Sequence, residues 1–280
     1  MPDSPLQIHA QLEQLRQKPP LLVGRERELA VLRQHIVARR PVFLRGAAGV
    51  GKTALLSALY ATWPAAEPRP DVALFYCGAS RTRRQIATHL LVNLLRHRGR
   101  LQSEYVERRK TISSLGALQR FTASEALPAL KRMMHQNLAR DRACLILDHL
   151  DYADPKIASL LEVWLEDTPL ILVAGDADRL GRARWLLSSV EHLELGTLDR
   201  SALLQIARLV AADQPLAEAD LREAVGRAAG NAGQLCRLLR ATTRSQYRRN
   251  GRLQWKLVEL DLRIRAIGLS DARDRSRGVA

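Results

Sequence analysis

The sequence has 280 residues, of which 46% are hydrophobic and 4% aromatic, so it can fill a core and is not a disordered chain. Lysine and arginine number 44 against 29 aspartate and glutamate, which gives a formal net charge of +15. This excess favours a polyanionic partner, although an arginine-rich composition alone would give the same count. Three distant cysteines without metal-ligand spacing argue against a disulfide framework and predict buried thiols: Cys77, Cys144 and Cys236.

No apolar stretch reaches the roughly 18 residues that a membrane span needs. The N-terminal segment is polar and contains prolines, so it has no signal-peptide core. We therefore expect a cytoplasmic protein without a membrane partner.

The first half of the chain alternates periodic segments, which predict helices, with short apolar runs, which predict strands. Helices are predicted over 6–17, from about 26 to 36, over 52–60 and over 82–97. Strands are predicted over 41–45 and 72–77. The polar and strongly basic segment 97–110 is expected to be a mobile insertion.

The second half continues this alternation and then becomes helical. We predict helices over 124–139 and 157–166 and strands over 143–148, 170–174 and 192–195, which indicates a parallel, helix-covered sheet. Beyond residue 197, helices are predicted over 200–212, 217–228 and 231–249. The predicted organisation is an N-terminal extension (1–20), an α/β core (21–197), a helical lid (198–265) and a charged tail (266–280).

A glycine-rich loop joins the first strand to the next helix, and its pattern G-x-x-x-x-G-K-[ST] is typical of phosphate binding. Glycines allow backbone N–H groups to turn inward toward phosphate oxygens, and the helix start adds a positive dipole end. Lys52 is expected to reach the β- and γ-phosphates, and Thr53 to supply a hydroxyl to Mg²⁺. The loop comprises Gly46, Ala47, Ala48, Gly49, Val50, Gly51, Lys52 and Thr53.

Asp148 follows the apolar run 144–147, at the carboxyl edge where parallel sheets bind ligands. A carboxylate at this edge can hold Mg²⁺ together with Thr53. An aspartate after apolar residues is also a common helix cap, so the interpretation depends on the loop. Asp151 and Asp154 follow closely and are either supporting carboxylates or caps.

These motifs, in this order, resemble those of AAA+ and STAND P-loop ATPases, especially the branch of the origin-recognition initiators. Residues 23–29 resemble the opening whose residues lie beside adenine, which implies nucleotide contacts for Gly24 and Arg25. Segment 145–151 resembles the Walker B motif. Segment 172–176, which ends at Asp176, occupies the place of the sensor 1 strand. Segment 230–235 occupies the place of the sensor 2 region. The resemblance covers about residues 20–260 and implies a parallel-sheet P-loop core with a helical lid.

The lid segment is also similar to that of transposition regulators of the TniB/TnsC kind, through Gly230, Gly233 and Leu235 and the run 238–241. Those proteins use ATP to assemble on DNA and direct a transposase. The resemblance implies ATP, Mg²⁺, self-assembly and a transposase-like partner, and we expect no winged-helix domain after the lid.

Two departures from the family pattern matter. His149 stands where the catalytic glutamate is expected, which predicts slow hydrolysis unless histidine acts as a base or Asp151 or Asp176 positions the water. Gly233 occupies the place of the sensor 2 arginine, and Arg237 is the nearest replacement. An arginine finger is expected between the fourth and fifth strands; the choice falls on Arg184, with Arg179 and Arg182 left open.

Two basic clusters suit salt-sensitive contacts to the backbone of duplex DNA, or are simply solvated helix faces. One comprises Arg81, Arg83, Arg84, Arg96, Arg98, Arg100, Arg108, Arg109 and Lys110, and the other Arg237, Arg240, Arg244, Arg248, Arg249, Arg252 and Lys256. The leading hypothesis is an ATP-dependent oligomeric switch on DNA. The alternative is a STAND-type scaffold that binds only proteins. A small-molecule kinase would leave the helical C-terminal third unexplained.

Overall fold

A computed structural model describes residues 4–63, 72–78, 80, 82–105, 108–138, 143–149, 170–174, 190–214, 216–249 and 252–275. The chain divides into two compact units. The first comprises Met1–Ala47 and Lys52–Leu195, and the second comprises Ala48–Gly51 and Gly196–Ala280. The predicted helix over 157–166 lies outside the described residues.

The first unit contains a five-stranded parallel sheet, as the alternation of strands and helices predicts. Its strands are β1 (Val42–Arg45), β2 (Ala73–Cys77), β5 (Ala143–Leu147), β6 (Leu170–Ala174) and β7 (Glu191–Glu194), in the order β2-β5-β6-β1-β7. The described side chains of β1 and β5 are almost completely buried, which explains their continuous apolar sequence. The prediction of an α/β fold with a parallel P-loop sheet is confirmed.

Six described helices belong to the first unit: α1 (Pro5–Gln17), α2 (Glu26–Val37), α3 (Lys52–Thr62), α4 (Arg83–Arg98), α5 (Leu115–Ser124) and α6 (Leu127–Leu138). Helix α4 contacts β2 and three helices, α1, α5 and α6, so its residues 86–95 are all buried. Capping boxes begin α1 at Ser4 and α4 at Thr82. The helix predicted over 124–139 is present as α6, but it begins only at Leu127, because the backbone of Glu125 is extended and separates it from α5.

The basic segment after α4 is an antiparallel hairpin of β3 (Leu101–Tyr105) and β4 (Arg108–Ile112). Leu101 and Ile112 face each other in the register and are both buried. Asn137 of α6 accepts from the N–H of Gln102 (3.4 Å) and donates to its carbonyl oxygen (2.9 Å). The segment that the sequence suggests as an insertion therefore forms a hairpin, and two buried apolar residues and one buried amide connect it to the rest of the unit. Its mobility stays a prediction.

The second unit contains the loop tip Ala48–Gly51 and four helices: α7 (Arg200–Val210), α8 (Glu218–Ala228), α9 (Ala232–Thr242) and α10 (Trp255–Arg275). The predicted helix over 231–249 ends at Thr242, and a 3₁₀ turn (Ser245–Tyr247) and two short strands, β8 (Arg248–Arg249) and β9 (Arg252–Leu253), follow it. Arg227 binds Glu223 and Glu259 and lies over the ring of Trp255, which joins α8 to α10.

Helix α10 continues to Arg275, into the segment that was expected to be a charged tail. Cys77 and Cys144 are buried free thiols whose pKa values burial raises, and Cys236 is half-buried. None of the helices in the described part of the chain is long and apolar enough to cross a membrane.

Candidate functional site

The glycine-rich loop leaves β1 at Arg45 and enters α3 at Lys52. Three of its glycines have positive φ: Gly46 (145°), Gly49 (81°) and Gly51 (110°). Residues other than glycine rarely adopt these backbone angles. The turn therefore requires glycine at these three positions. The strand-loop-helix context predicted for a phosphate loop is present.

Lys52 folds back along the first residues of this loop. Its Nζ donates to the carbonyl oxygens of Gly46 (2.5 Å) and Ala47 (3.2 Å). These bonds place the ammonium charge against the curve of the loop, where the motif predicts phosphate oxygens. The role of Lys52 in binding phosphate stays a prediction.

The structure brings together Thr53, Asp148 and His149, which are distant in sequence. The hydroxyl Oγ1 of Thr53 lies 3.0 Å from Nε2 of His149, and Oδ2 of Asp148 lies 3.6 Å from the same nitrogen. Thr53 stands in the first turn of α3, and Asp148 follows β5 directly. The two predicted metal ligands and the residue at the position of the missing glutamate therefore form one cluster.

His149 has a left-handed backbone with φ of 57°, which is uncommon for residues other than glycine, although histidine, asparagine and aspartate adopt it more often than the rest. Its backbone N–H donates to Oδ1 of Asp148 at 2.9 Å. Such strained residues occur where surrounding structure holds them, often at functional sites. The geometry fixes the direction in which the imidazole leaves the main chain.

A buried tyrosine holds Asp148, and sequence reasoning missed it. The hydroxyl of Tyr76 donates to Oδ2 of Asp148 at 3.0 Å and lies 3.2 Å from Oγ of Ser57. Burial raises the pKa of Tyr76, and the neighbouring carboxylate raises it further, so the hydroxyl stays protonated and donates. Ser57 is then the donor to Tyr76. The only sequence signal was a tyrosine within an apolar strand.

Asn93 of α4 fixes Tyr76 in turn. Strand β2 lies at an edge of the sheet, so within the described residues one side of its backbone has no neighbouring strand. Oδ1 of Asn93 accepts from the N–H of Tyr76 (3.2 Å), and Nδ2 donates to the carbonyl oxygens of Tyr76 (3.0 Å) and His89 (2.8 Å). The amide thus satisfies a buried edge and sets the position of the tyrosine that binds Asp148.

In the second unit, the start of α9 contacts the loop tip. Nδ2 of Asn231 donates to the carbonyl oxygen of Ala48 (2.8 Å), and the N–H of Gly233 donates to that of Gly49 (2.8 Å). A Cβ on Gly233 would lie 2.8 Å from Cα and 2.9 Å from the carbonyl oxygen of Gly49. Asn231 also caps α9 by accepting from the N–H of Gln234 at 2.9 Å. The predicted sensor 2 segment therefore contacts the loop without an arginine.

The other predicted residues lie in varied surroundings. Gly24 has φ of 66° and donates its N–H to Glu26, whereas Arg25 is buried and binds Glu28 at 2.8 Å. Arg237 is exposed on α9. The nucleotide contacts assigned to these residues stay predictions. The remaining candidates lie outside the described residues: Asp151, Asp154, Asp176, Arg179, Arg182 and Arg184.

The basic clusters differ in how their arginines are used. Arg84 donates to the carbonyl oxygens of Thr122 (2.6 Å) and Glu125 (2.9 Å), and Arg96 pairs with Glu13. These two arginines are structural and not part of a free phosphate-binding surface. In the second unit, Arg237 and Arg240 are exposed and lie about one turn apart on α9. Arg244 follows the end of that helix; it is also exposed, and its guanidinium lies 3.6 Å from the carboxylate of Asp261.

A family model described as "AAA ATPase domain" matches residues 21–173, more than half of the chain. The chain belongs to the AAA ATPase family. The match contains the phosphate loop, Asp148 and His149. No curated protein matches this AAA ATPase in sequence.

Solved structures share the fold of this AAA ATPase at low identity. The Orc1 protein of Aeropyrum pernix, in complex with DNA, has a TM-score of 0.57 and 19% identity, over 87% of this chain and 66% of that one. A Walker-type ATPase of Pyrococcus abyssi has a TM-score of 0.57 and 18% identity, over 94% and 80%. Domain III of the replication initiation protein DnaA of Thermotoga maritima has a TM-score of 0.51 and 15% identity, over 86% and 93%. The chain spans just under two thirds of the Orc1 chain.

Membership of this family implies a nucleotide, usually with Mg²⁺, and the residues present fit both. Thr53 and Asp148 offer the oxygen donors that Mg²⁺ prefers, and Lys52 offers a positive charge for phosphates. Within the described residues, no group of three histidine, cysteine, aspartate or glutamate side chains could hold an ion.

Proposed function

We propose that this AAA ATPase binds ATP with Mg²⁺ at the loop of residues 46–53 and acts as a nucleotide-dependent switch that hydrolyses ATP slowly. The supporting observation is the cluster of Thr53, Asp148 and His149. It combines two oxygen donors for the metal with a histidine at the position where a carboxylate would activate water. The site would then hold ATP for a long time before hydrolysing it to ADP.

Phosphate release by the wild type and by His149→Glu tests the slow-switch proposal. Since a positioned base contributes about 10²- to 10⁴-fold, we expect the glutamate variant to hydrolyse ATP at least tenfold faster. His149→Gln is the matched control, because it has similar size but cannot act as a base at neutral pH. A wild type with rapid turnover that His149→Glu does not exceed contradicts the slow-switch proposal.

We further propose that the ATP-bound form assembles on duplex DNA through backbone contacts. The net charge of +15 and the exposed arginines 237, 240 and 244 support this proposal, and a fold neighbour was solved in complex with DNA. Exposed basic side chains suit phosphates, which carry no sequence information. Self-association on DNA would make the switch oligomeric.

Light scattering and fluorescence anisotropy with duplex DNA test this assembly. We expect ATP-dependent growth in particle size and a large loss of affinity in the triple variant Arg237→Ser, Arg240→Ser, Arg244→Ser. The control removes the same charge from exposed arginines on other elements: Arg40→Ser, Arg120→Ser, Arg222→Ser. If both triple variants lose the same affinity for DNA, the net charge of the protein, and not these three arginines in particular, accounts for the binding. Tight nucleotide binding without any effect on DNA would instead support the STAND-type scaffold.

The partner of such a switch is proposed to be a transposase-like enzyme, on the lid resemblance to TniB/TnsC regulators. That resemblance rests on Gly230, Gly233 and Leu235. A gene for a transposase next to that of this chain, followed by ATP-dependent co-elution of the two proteins, would support the proposal. Co-elution that is indifferent to ATP would contradict it.

A further inference from the structure

The distances from His149 to Thr53 and Asp148 can be compared with the distances between ligands of one metal ion. Adjacent ligands of an octahedral ion with bonds of about 2.1 Å lie about 3.0 Å apart. Nε2 of His149 is 3.0 Å from Oγ1 of Thr53 and 3.6 Å from Oδ2 of Asp148. The first separation matches that octahedral edge and the second is longer, so an ion bound by the threonine hydroxyl also lies within reach of the imidazole nitrogen.

The imidazole is held in this direction by the main chain. The left-handed φ of His149 and the bond from its N–H to Asp148 set where the side chain points. The carboxylate of Asp148 is itself held by a hydrogen bond from the hydroxyl of Tyr76. The side chain of Asp148 is 2% exposed and that of His149 is 40% exposed, so the imidazole lies at the solvent side of the cluster, beside a buried carboxylate.

We propose that His149 contributes Nε2 to the coordination sphere of the nucleotide-bound metal ion, beside Thr53, and that the site consequently favours Co²⁺ over Mg²⁺ more than a site of oxygen donors does. Imidazole suits transition metals, whereas Mg²⁺ prefers oxygen. This inference rests on the proposed binding of ATP.

Pulsed electron paramagnetic resonance of Mn²⁺ tests the nitrogen ligand directly. The sample is the full chain with Mn²⁺ and a non-hydrolysable ATP analogue. We expect ¹⁴N modulation from a directly bound imidazole, and we expect it to disappear in His149→Asn. Asparagine tolerates the left-handed backbone and offers a metal its amide oxygen, so this variant removes the nitrogen and keeps the turn. Circular dichroism checks that the variant is folded.

A second measurement compares the dissociation constants of a fluorescent ATP analogue with Co²⁺ and with Mg²⁺. We expect the preference for Co²⁺ to be about tenfold greater in the wild type than in His149→Asn, because the variant loses the bond between the ion and the imidazole nitrogen. Equal ratios, or ¹⁴N modulation that persists in the variant, would overturn the inference while leaving nucleotide binding intact. Failure to bind nucleotide with either ion would overturn the proposed function as well.

Discussion

Two regions around the phosphate loop are held by different kinds of contact. At Thr53 and Asp148, side chains form the contacts, and a chain of hydroxyl, carboxylate and amide groups passes through Tyr76 to Asn93. At the loop tip in the second unit, backbone groups meet where a glycine leaves room. In the first region, we expect a substitution to be tolerated when it keeps the hydrogen-bond donors and acceptors of the side chains. The second leaves no room for a Cβ on Gly233.

The largest effect is expected for Lys52→Ala, which removes the only charge that the loop motif directs at phosphates. Charge-assisted hydrogen bonds contribute about 1.5–3 kcal/mol each, so we expect nucleotide affinity to fall at least about a hundredfold. Titration of a fluorescent nucleotide measures the loss. Lys18→Ala, an exposed lysine next to α1, is the control and should bind as the wild type does. Unchanged affinity in Lys52→Ala would remove the basis for a nucleotide site.

Gly233→Ala tests the backbone contact in the second unit. The new Cβ would lie 2.8 Å from Cα of Gly49, and since neither neighbour is a flexible side chain, the backbone must move. We expect a loss of about 2–3 kcal/mol in the free energy of unfolding, the upper range for overpacking. Urea denaturation measures it.

Gly226→Ala is the matched control for that experiment, because it also lies in the second unit, within α8. A Cβ there meets no atom within 4 Å, so alanine should be neutral or stabilise the helix by up to about 1 kcal/mol. If the two variants unfold at the same urea concentration, the close approach of Gly233 to the loop tip does not limit stability.

The difference between the two regions also explains what the sequence could and could not predict. Lys52, Thr53 and Asp148 were found because a motif and a strand end carry their own chemistry. Tyr76 was missed, since its partner is seventy-two positions away and only the pairing of β2 with β5 brings them together. Gly233 was judged by the arginine it replaces, whereas its contact with Gly49 depends on tertiary packing.

The fold shows the same division. Continuous apolar runs predicted the strands well, because strands buried on both faces have no polar alternation. The hairpin of β3 and β4 was missed because Leu101 and Ile112 are its main apolar anchors, eleven positions apart in a basic segment. The predicted helix over 231–249 was too long, since periodicity does not show where a chain turns back through a 3₁₀ segment.

Tyr76→Phe tests the side-chain region with a smaller expected effect. The variant keeps the ring and removes the hydroxyl, so Asp148, which is only 4% exposed, loses the donor to Oδ2. An unsatisfied buried acceptor costs about 1–2 kcal/mol, and thermal unfolding measures this. We expect the metal-dependent part of nucleotide binding to weaken as well. Tyr247→Phe in the second unit serves as the control, and it should change stability without changing the response to metal ions.

The smallest effect is expected for Asn231→Ser, which separates the two bonds that Asn231 makes. Serine caps helices about as well as asparagine, so the bond from the N–H of Gln234 can be kept, while the amide donor to Ala48 is lost. Because the carbonyl oxygen of Ala48 lies on an exposed residue, water replaces that donor, and we expect a loss of only about 0.5–1 kcal/mol in urea denaturation. A loss as large as that of Gly233→Ala would show that the amide, and not the close backbone approach, holds α9 to the loop tip. The contrast between side-chain and backbone contacts would then hold only for the Thr53 region.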